Sequence, residues 1–313
     1  MKRKLSFALM CAALCVFGAA IIICPERYVS CCFNGFIMWA ECVLPSLFPF
    51  MVITLILVKT GCAERAALPL KRFAYKLKLP PAAAPCFLLA VCSGYPAGSR
   101  VVSEFCTCGS ISAKDCHKVA YLCSTSGPLF IIGSVGFKMF NDKFLGYKIL
   151  LAHVFAVTVV SLVICLLSKS GGKTQLKRPS PDKNALYNSF YGAVTAVCVA
   201  GGFIAFFYVF ATFCSDFRLT YPLQKFLGLF LEDNLSAAVC TGLIEATTGC
   251  VALAAAGGKI SAALAGFLIT FGGISILLQQ LSYLTPVGVK PLKFIGVKFI
   301  QGILCFLILL VIV

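Results

Sequence analysis

Four short stretches hold the residues whose types and spacing could do chemistry. The first, Ser93-Gly94-Tyr95-Pro96-Ala97-Gly98-Ser99-Arg100, reads as a turn running into a helix start. Amides at a helix start lack partners and carry positive partial charge. Gly98 and Ser99 can therefore receive an anion, with Arg100 adding a full charge beside them. The second, Ser124-Thr125-Ser126 ahead of Gly127-Pro128, offers hydroxyls and the carbonyls of an unwound turn. The third sets Glu245 beside Thr247 and Thr248 in apolar surroundings. A carboxylate there costs on the order of 2.5–3.5 kcal/mol, so it needs a cavity, a coupling proton or cation, or a basic partner such as Arg100. The fourth, Gly273, Ser275, Gln279 and Gln280, mirrors the second with uncharged donors and acceptors. The competing readings are a tight turn with a snorkelling Arg100 and plain hydrogen bonding between helices.

Other chemistries lack their residues. The two histidines, His117 and His153, stand in no Ser-His-Asp order and no H-E-x-x-H, and no phosphate loop occurs, so no catalytic residue is expected. The 19 cysteines lie mostly inside apolar runs and never at C-x-x-C spacing. They read as small hydrophobes, with neither a disulfide framework nor a metal site expected, and no cofactor is implied. The net charge of +16 sits mainly in connectors between apolar runs. Membrane lipid is the partner this implies, not nucleic acid. No oligomeric state is implied.

The elements that must position these residues are membrane helices. Sixty per cent of the 313 residues are apolar and 12% charged, against about 25% charged in soluble domains. Runs long enough to cross roughly 30 Å of hydrocarbon recur along the chain. Residues 1–42 read as an N-terminal anchor helix and loop, 43–168 as a first repeat, 169–185 as a basic cytoplasmic-side linker and 186–313 as a second repeat. Within the repeats, 81–109 and 234–256 do not read as single spans. Each falls into two arms of about 20 Å or less, too short to cross, folded at a Gly-containing tip. The spans Lys118–Phe137 and Ser261–Leu281 are interrupted at Ser124–Pro128 and Phe271–Gly273. With the hairpins not crossing, most of the 27 Lys and Arg fall on one side, counting Lys290, Lys293 and Lys298 as a connector. The hairpins then enter from opposite faces. Inverted repeats of broken helices are a hallmark of secondary transporters; the alternative is a plain bundle with glycine at tight crossings.

The chain resembles the YlbJ-like sporulation integral membrane proteins, which carry nucleoside-recognition Gate domains. The resemblance rests on PSLFPF (45–50), SGYPAGSR (93–100), SGPLFIIGSVG (126–136), GLIEATTG (242–249) and FGGISILLQQLS (271–282). It implies two Gate-like repeats, a cell or forespore membrane location in a spore former, and transport of a dicarboxylate such as dipicolinate. Three functions remain in play: a carrier of a small anionic organic solute, a nucleoside carrier of the same architecture, and a non-transporting scaffold for spore assembly. Tyr95 as the lone aromatic side chain at the tips gives little platform for base stacking.

Overall fold

The computed structural model describes residues 2–66, 68–168 and 184–313. The basic linker expected at 169–185 lies almost wholly outside them. The described residues contain no strand. Their α-helices are α1 (Lys2–Ile23), α2 (Pro25–Met38), α3 (Leu44–Lys59), α4 (Cys62–Ala66), α5 (Lys71–Lys76), α6 (Ala83–Ser93), α7 (Ala97–Thr107) and α8 (Cys116–Cys123). They continue with α9 (Lys143–Leu167), α10 (Ala185–Asp216), α11 (Tyr221–Leu227), α12 (Asp233–Ile244), α13 (Ala246–Ala256), α14 (Gly258–Phe271), α15 (Gly273–Leu284) and α16 (Pro291–Ile312). Two π-helical segments, Trp39–Val43 and Leu129–Met139, interrupt the first half. Five stretches are long and apolar enough to span a membrane: Pro25–Lys59, Lys143–Leu167, Ala185–Asp216, Gly258–Leu284 and Pro291–Ile312.

The loop expected before residue 43 is helix instead. Pro25 stands at the start of α2, where its missing N–H is no loss, and Glu26 complements the dipole of the first turn. From there a continuous 35-residue stretch runs to Lys59, about 50 Å long at 1.5 Å per residue. The stretch is broken one turn before Pro45, at the π-helical segment Trp39–Val43. Pro45 cannot donate back to the preceding turn, and the helix widens there. Beside the break, Cys42 O accepts from the hydroxyls of Ser134 (2.5 Å) and Ser46 (3.1 Å).

Both expected hairpins form. The arms α6 and α7, of 11 residues each, fold back through Gly94, Tyr95 and Pro96, with a cis Tyr95–Pro96 peptide. The arms α12 and α13 fold back at Glu245 and pack along each other. At about 16–18 Å, no arm spans the hydrocarbon. The start of α9 is capped as its sequence dictates. Asp142 accepts from Leu145 N at 3.0 Å to open α9. Glu232 occupies the N-cap position of α12 without a side-chain hydrogen bond to it, while Asn234 Oδ1 accepts from Leu235 N at 2.7 Å.

At the centre lies α14, in which every residue from Ser261 to Phe271 is buried, packed by α9, α13 and α16. The helices α2, α3 and α10 form a second layer beside this core of broken helices. One cysteine expectation is overturned: Cys106 and Cys116 form a disulfide joining the end of α7 to the start of α8. The intervening turn, with Gly109 at φ +76° and the Ser110 and Ile111 amides both on Phe105 O, brings the two together. Sequence spacing alone does not display that proximity.

Candidate functional site

The site is where the two hairpin tips meet the two broken helices. Gly94 of the first tip lies against Gly127 of the first break, backbone on backbone. In the second half, a Cβ on Gly273 would lie 2.7 Å from Gly242 O and 3.4 Å from Ala246 N, so the second break presses on the second tip in the same way. The two crossings are tied together. Tyr95 Oη reaches Ile269 O (3.3 Å) and Thr270 O (3.2 Å) on α14. His153 on α9 bridges them again: its Nε2 accepts from Ser126 N–H (2.9 Å), which leaves Nδ1–H to donate to Thr270 Oγ1 (2.9 Å). Thr125 Oγ1 also lies 2.8 Å from that Nε2. Gln280 Oε1 accepts from Ser99 Oγ (3.3 Å) and from Ser124 Oγ, joining α7, the first break and α15.

Between these elements is a cavity of about 40 Å3. Its lining includes five of the expected residues, Tyr95, Ser126, Glu245, Thr247 and Gln279, with apolar side chains such as Val43, Leu47, Phe130 and Ile204 completing the wall. That volume is far short of the roughly 300–1,000 Å3 of ligand pockets, so no solute-sized space is open in this conformation. Several other expected residues hold the wall. Ser93 Oγ donates to Leu89 O at 2.6 Å, Ser275 Oγ accepts from Gln279 Nε2 at 3.4 Å, and Gly98 sits against Ala90 and Cys123 O.

Glu245 is the polar centre of the cavity. The second tip turns on Glu245 itself, whose extended backbone ends α12 and caps α13. Its Oε2 accepts from Thr248 N (2.7 Å) and Thr248 Oγ1 (2.8 Å). Its Oε1 is buried and has no hydrogen-bond partner. A buried acceptor left unmade is costly, and such exceptions call for a ligand, a proton or a water.

Arg100 departs from expectation. Its guanidinium turns away from the cavity, donating to Gly192 O on α10 (3.0 Å) and to Glu104 Oε1 (3.2 Å). The anticipated pair with Glu245 does not form. One turn beyond the tip, the side chain is carried to the α10 side of α7, where a helical carbonyl and the i+4 acid already satisfy it.

The basic residue near the cavity is Lys298, counted from sequence as part of a connector but wholly buried within α16. Its Nζ donates to Tyr95 Oη (2.8 Å) and to Ser124 O (2.9 Å). It lies on a buried stripe with Phe294, Gln301, Gly302, Cys305 and Leu309. That helical spacing was its one signal in the sequence.

Fold and site together define an all-α, multi-pass integral membrane protein with a small, mostly apolar cavity between broken helices, into which Glu245 is set. Over 96% of its length the chain is 25% identical to the sporulation integral membrane protein YlbJ of Bacillus subtilis (strain 168), of which it covers 81%. That likeness supports a YlbJ-like assignment without extending to a nucleoside-recognition Gate domain. No protein-family model and no solved structure matches the chain.

Proposed function

We propose that the chain is a secondary carrier of a small anionic organic solute, acting in the cell or forespore membrane of a spore-forming bacterium. The observation that carries this reading is the meeting of two half-length hairpins and two broken helices around a buried carboxylate with an unsatisfied oxygen. Irregular backbone at membrane depth is tolerated where it lines a cavity, and carriers use it to hold solute and coupling ion. The order long helix, hairpin, broken helix, long helix occurs over 44–167 and again over 185–312. With the hairpins not crossing, each half makes three crossings, so the second repeat is inverted with respect to the first. The starts of α7, α13 and α15 turn positive dipole ends toward the site, which suits an acid group. Glu245 carries a coupling proton: protonated, it removes the repulsion an anion would otherwise meet. The small cavity then represents the closed state, which opens to admit solute.

The likeness to a sporulation protein favours a solute of spore formation, and a planar dicarboxylate of the dipicolinate type fits the chemistry. The test is uptake by proteoliposomes holding the purified protein, with pyridine-2,6-dicarboxylate and uridine in competition. Dicarboxylate uptake driven by an imposed proton gradient is the expected result. Uridine uptake instead would make the chain a nucleoside carrier, and uptake of neither would leave the scaffold role.

A further inference from the structure

We infer that Lys298 determines the preference of this site for an anionic over a neutral solute, acting through the Tyr95 hydroxyl. The inference rests on the carrier reading and adds the residue that sets solute charge. Lys298 is fully buried, and two of its three N–H donors go to uncharged acceptors, Tyr95 Oη at 2.8 Å and Ser124 O at 2.9 Å. Among the described residues no carboxylate pairs with it. The groups around it on other elements are neutral hydrogen-bonding ones: Tyr95 on the tip, Ser124 at the break, and His153 and Thr270, bonded to each other. Glu245, the one acid on the cavity wall, is engaged with Thr248.

A lysine in a low-dielectric interior without a counter-ion holds its proton only at a cost, and sheds it when nothing offsets that cost. A negative group entering the cavity relieves that cost, whereas a neutral one does not. Selection by charge follows without contact between Lys298 and the solute, because fields are weakly screened where water is excluded. Tyr95 transmits the effect. It lines the cavity, and by accepting from Lys298 it keeps its own proton for donation. That proton now faces two backbone carbonyls at 3.2 and 3.3 Å, long contacts that a carboxylate can replace. Arg100, engaged by Gly192 and Glu104, is not available for this role.

The experiment measures proteoliposome uptake of pyridine-2,6-dicarboxylate and of its neutral diamide by wild type, Lys298→Met, Lys298→Arg and Tyr95→Phe. Each variant is checked for monodispersity by size exclusion. For Lys298→Met the KM for the diacid is expected to rise by roughly tenfold, the loss of a charge that acts through Tyr95 and not by direct pairing. The diamide should be little affected. Arginine should restore most of the preference, and Tyr95→Phe should weaken it in the same direction. Equal losses for diacid and diamide, or an unchanged preference in Lys298→Met, would overturn the inference and leave the carrier reading standing. Should Lys298→Met fail to fold, an unchanged preference in Tyr95→Phe overturns it. A wild-type protein that takes up neither probe removes the carrier reading and this inference with it.

Discussion

Gly94 and Gly127 touch through their backbones: a Cβ built on Gly94 would lie 2.9 Å from Gly127 Cα and closer still to its amide nitrogen. This contact sets the first tip into the first break and fixes where Tyr95 and Ser126 stand in the cavity wall. Gly94 also has φ +72°, a conformation open to glycine at little cost.

Gly94→Ala should therefore destabilise the protein by more than about 2 kcal/mol, combining backbone strain with a collision against main chain that cannot move aside. Gly133→Ala is the control. Its Cβ would meet only Leu129 Cδ1 at 3.7 Å, an ordinary contact, and a change within about 0.5 kcal/mol is expected. Thermal unfolding of the detergent-solubilised variants measures both. Equal stability of the two would mean the crossing is not as tight as described.

That crossing was legible in the sequence because Gly and Pro interrupt otherwise apolar runs at Ser93–Gly98 and Ser124–Pro128, and backbone breakers declare themselves by type. Glu245 was legible for the same kind of reason, as a lone acid among apolar residues. The direction of a side chain was not. Arg100 follows the tip by one helical turn, yet the turn of α7 carries it to Gly192, a residue 92 positions away. Lys298 was hidden by its neighbours: Lys290 and Lys293 end a connector, and a third lysine nearby reads as its continuation. Only the pairing of Lys298 with Phe294, Gln301 and Cys305 on one face of α16 marks it as internal. The Cys106–Cys116 bond was hidden because a turn, not a sequence spacing, creates it.

Glu245 combines a structural and a chemical role, and two substitutions separate them. Glu245→Gln keeps an oxygen that can accept from Thr248 N, so the cap of α13 survives while the charge is lost. Its unfolding temperature should equal or exceed that of wild type, since a neutral amide is easier to bury than a carboxylate. Proton-driven uptake should nevertheless be abolished. Glu245→Ala loses the cap as well and should be less stable than the glutamine variant by about 1 kcal/mol. Proton-driven uptake retained in Glu245→Gln would remove Glu245 from the coupling role.

Arg100→Ala should behave as a packing variant. The guanidinium is about one-quarter exposed, and its hydrogen bond to Gly192 O ties α7 to α10. Losing it is expected to cost about 1 kcal/mol, with the exposed i,i+4 pair to Glu104 adding little. The KM for the diacid should stay within about twofold of wild type, well short of a tenfold shift per 1.4 kcal/mol of lost binding. A large rise in KM at normal stability would return Arg100 to the cavity.

The stretch Pro25–Lys59 is long enough to cross the bilayer with residues to spare, so its two ends should face opposite compartments. Cys24 precedes it and Cys62 follows it, and both are exposed. The Cys24 end is pinned by Arg27, which donates to Asp216 at the end of α10 at 2.7 Å, so that end of α10 lies on the same side. Charged residues at both places, Glu26 and Arg27 at one and Lys59 and Arg65 at the other, hold the two thiols at the aqueous boundary. In a background with Cys15, Cys92, Cys108 and Cys198 changed to serine, a membrane-impermeant maleimide should label only one of Cys24 and Cys62 in intact cells. Both should react once the membrane is opened. Cys214, near the same end of α10 as Asp216 but buried, should stay unlabelled until the protein unfolds. Labelling of Cys24 and Cys62 together in intact cells would mean that 25–59 turns back within the bilayer. The count of three crossings per half would then fail, and the inverted relation between the repeats with it.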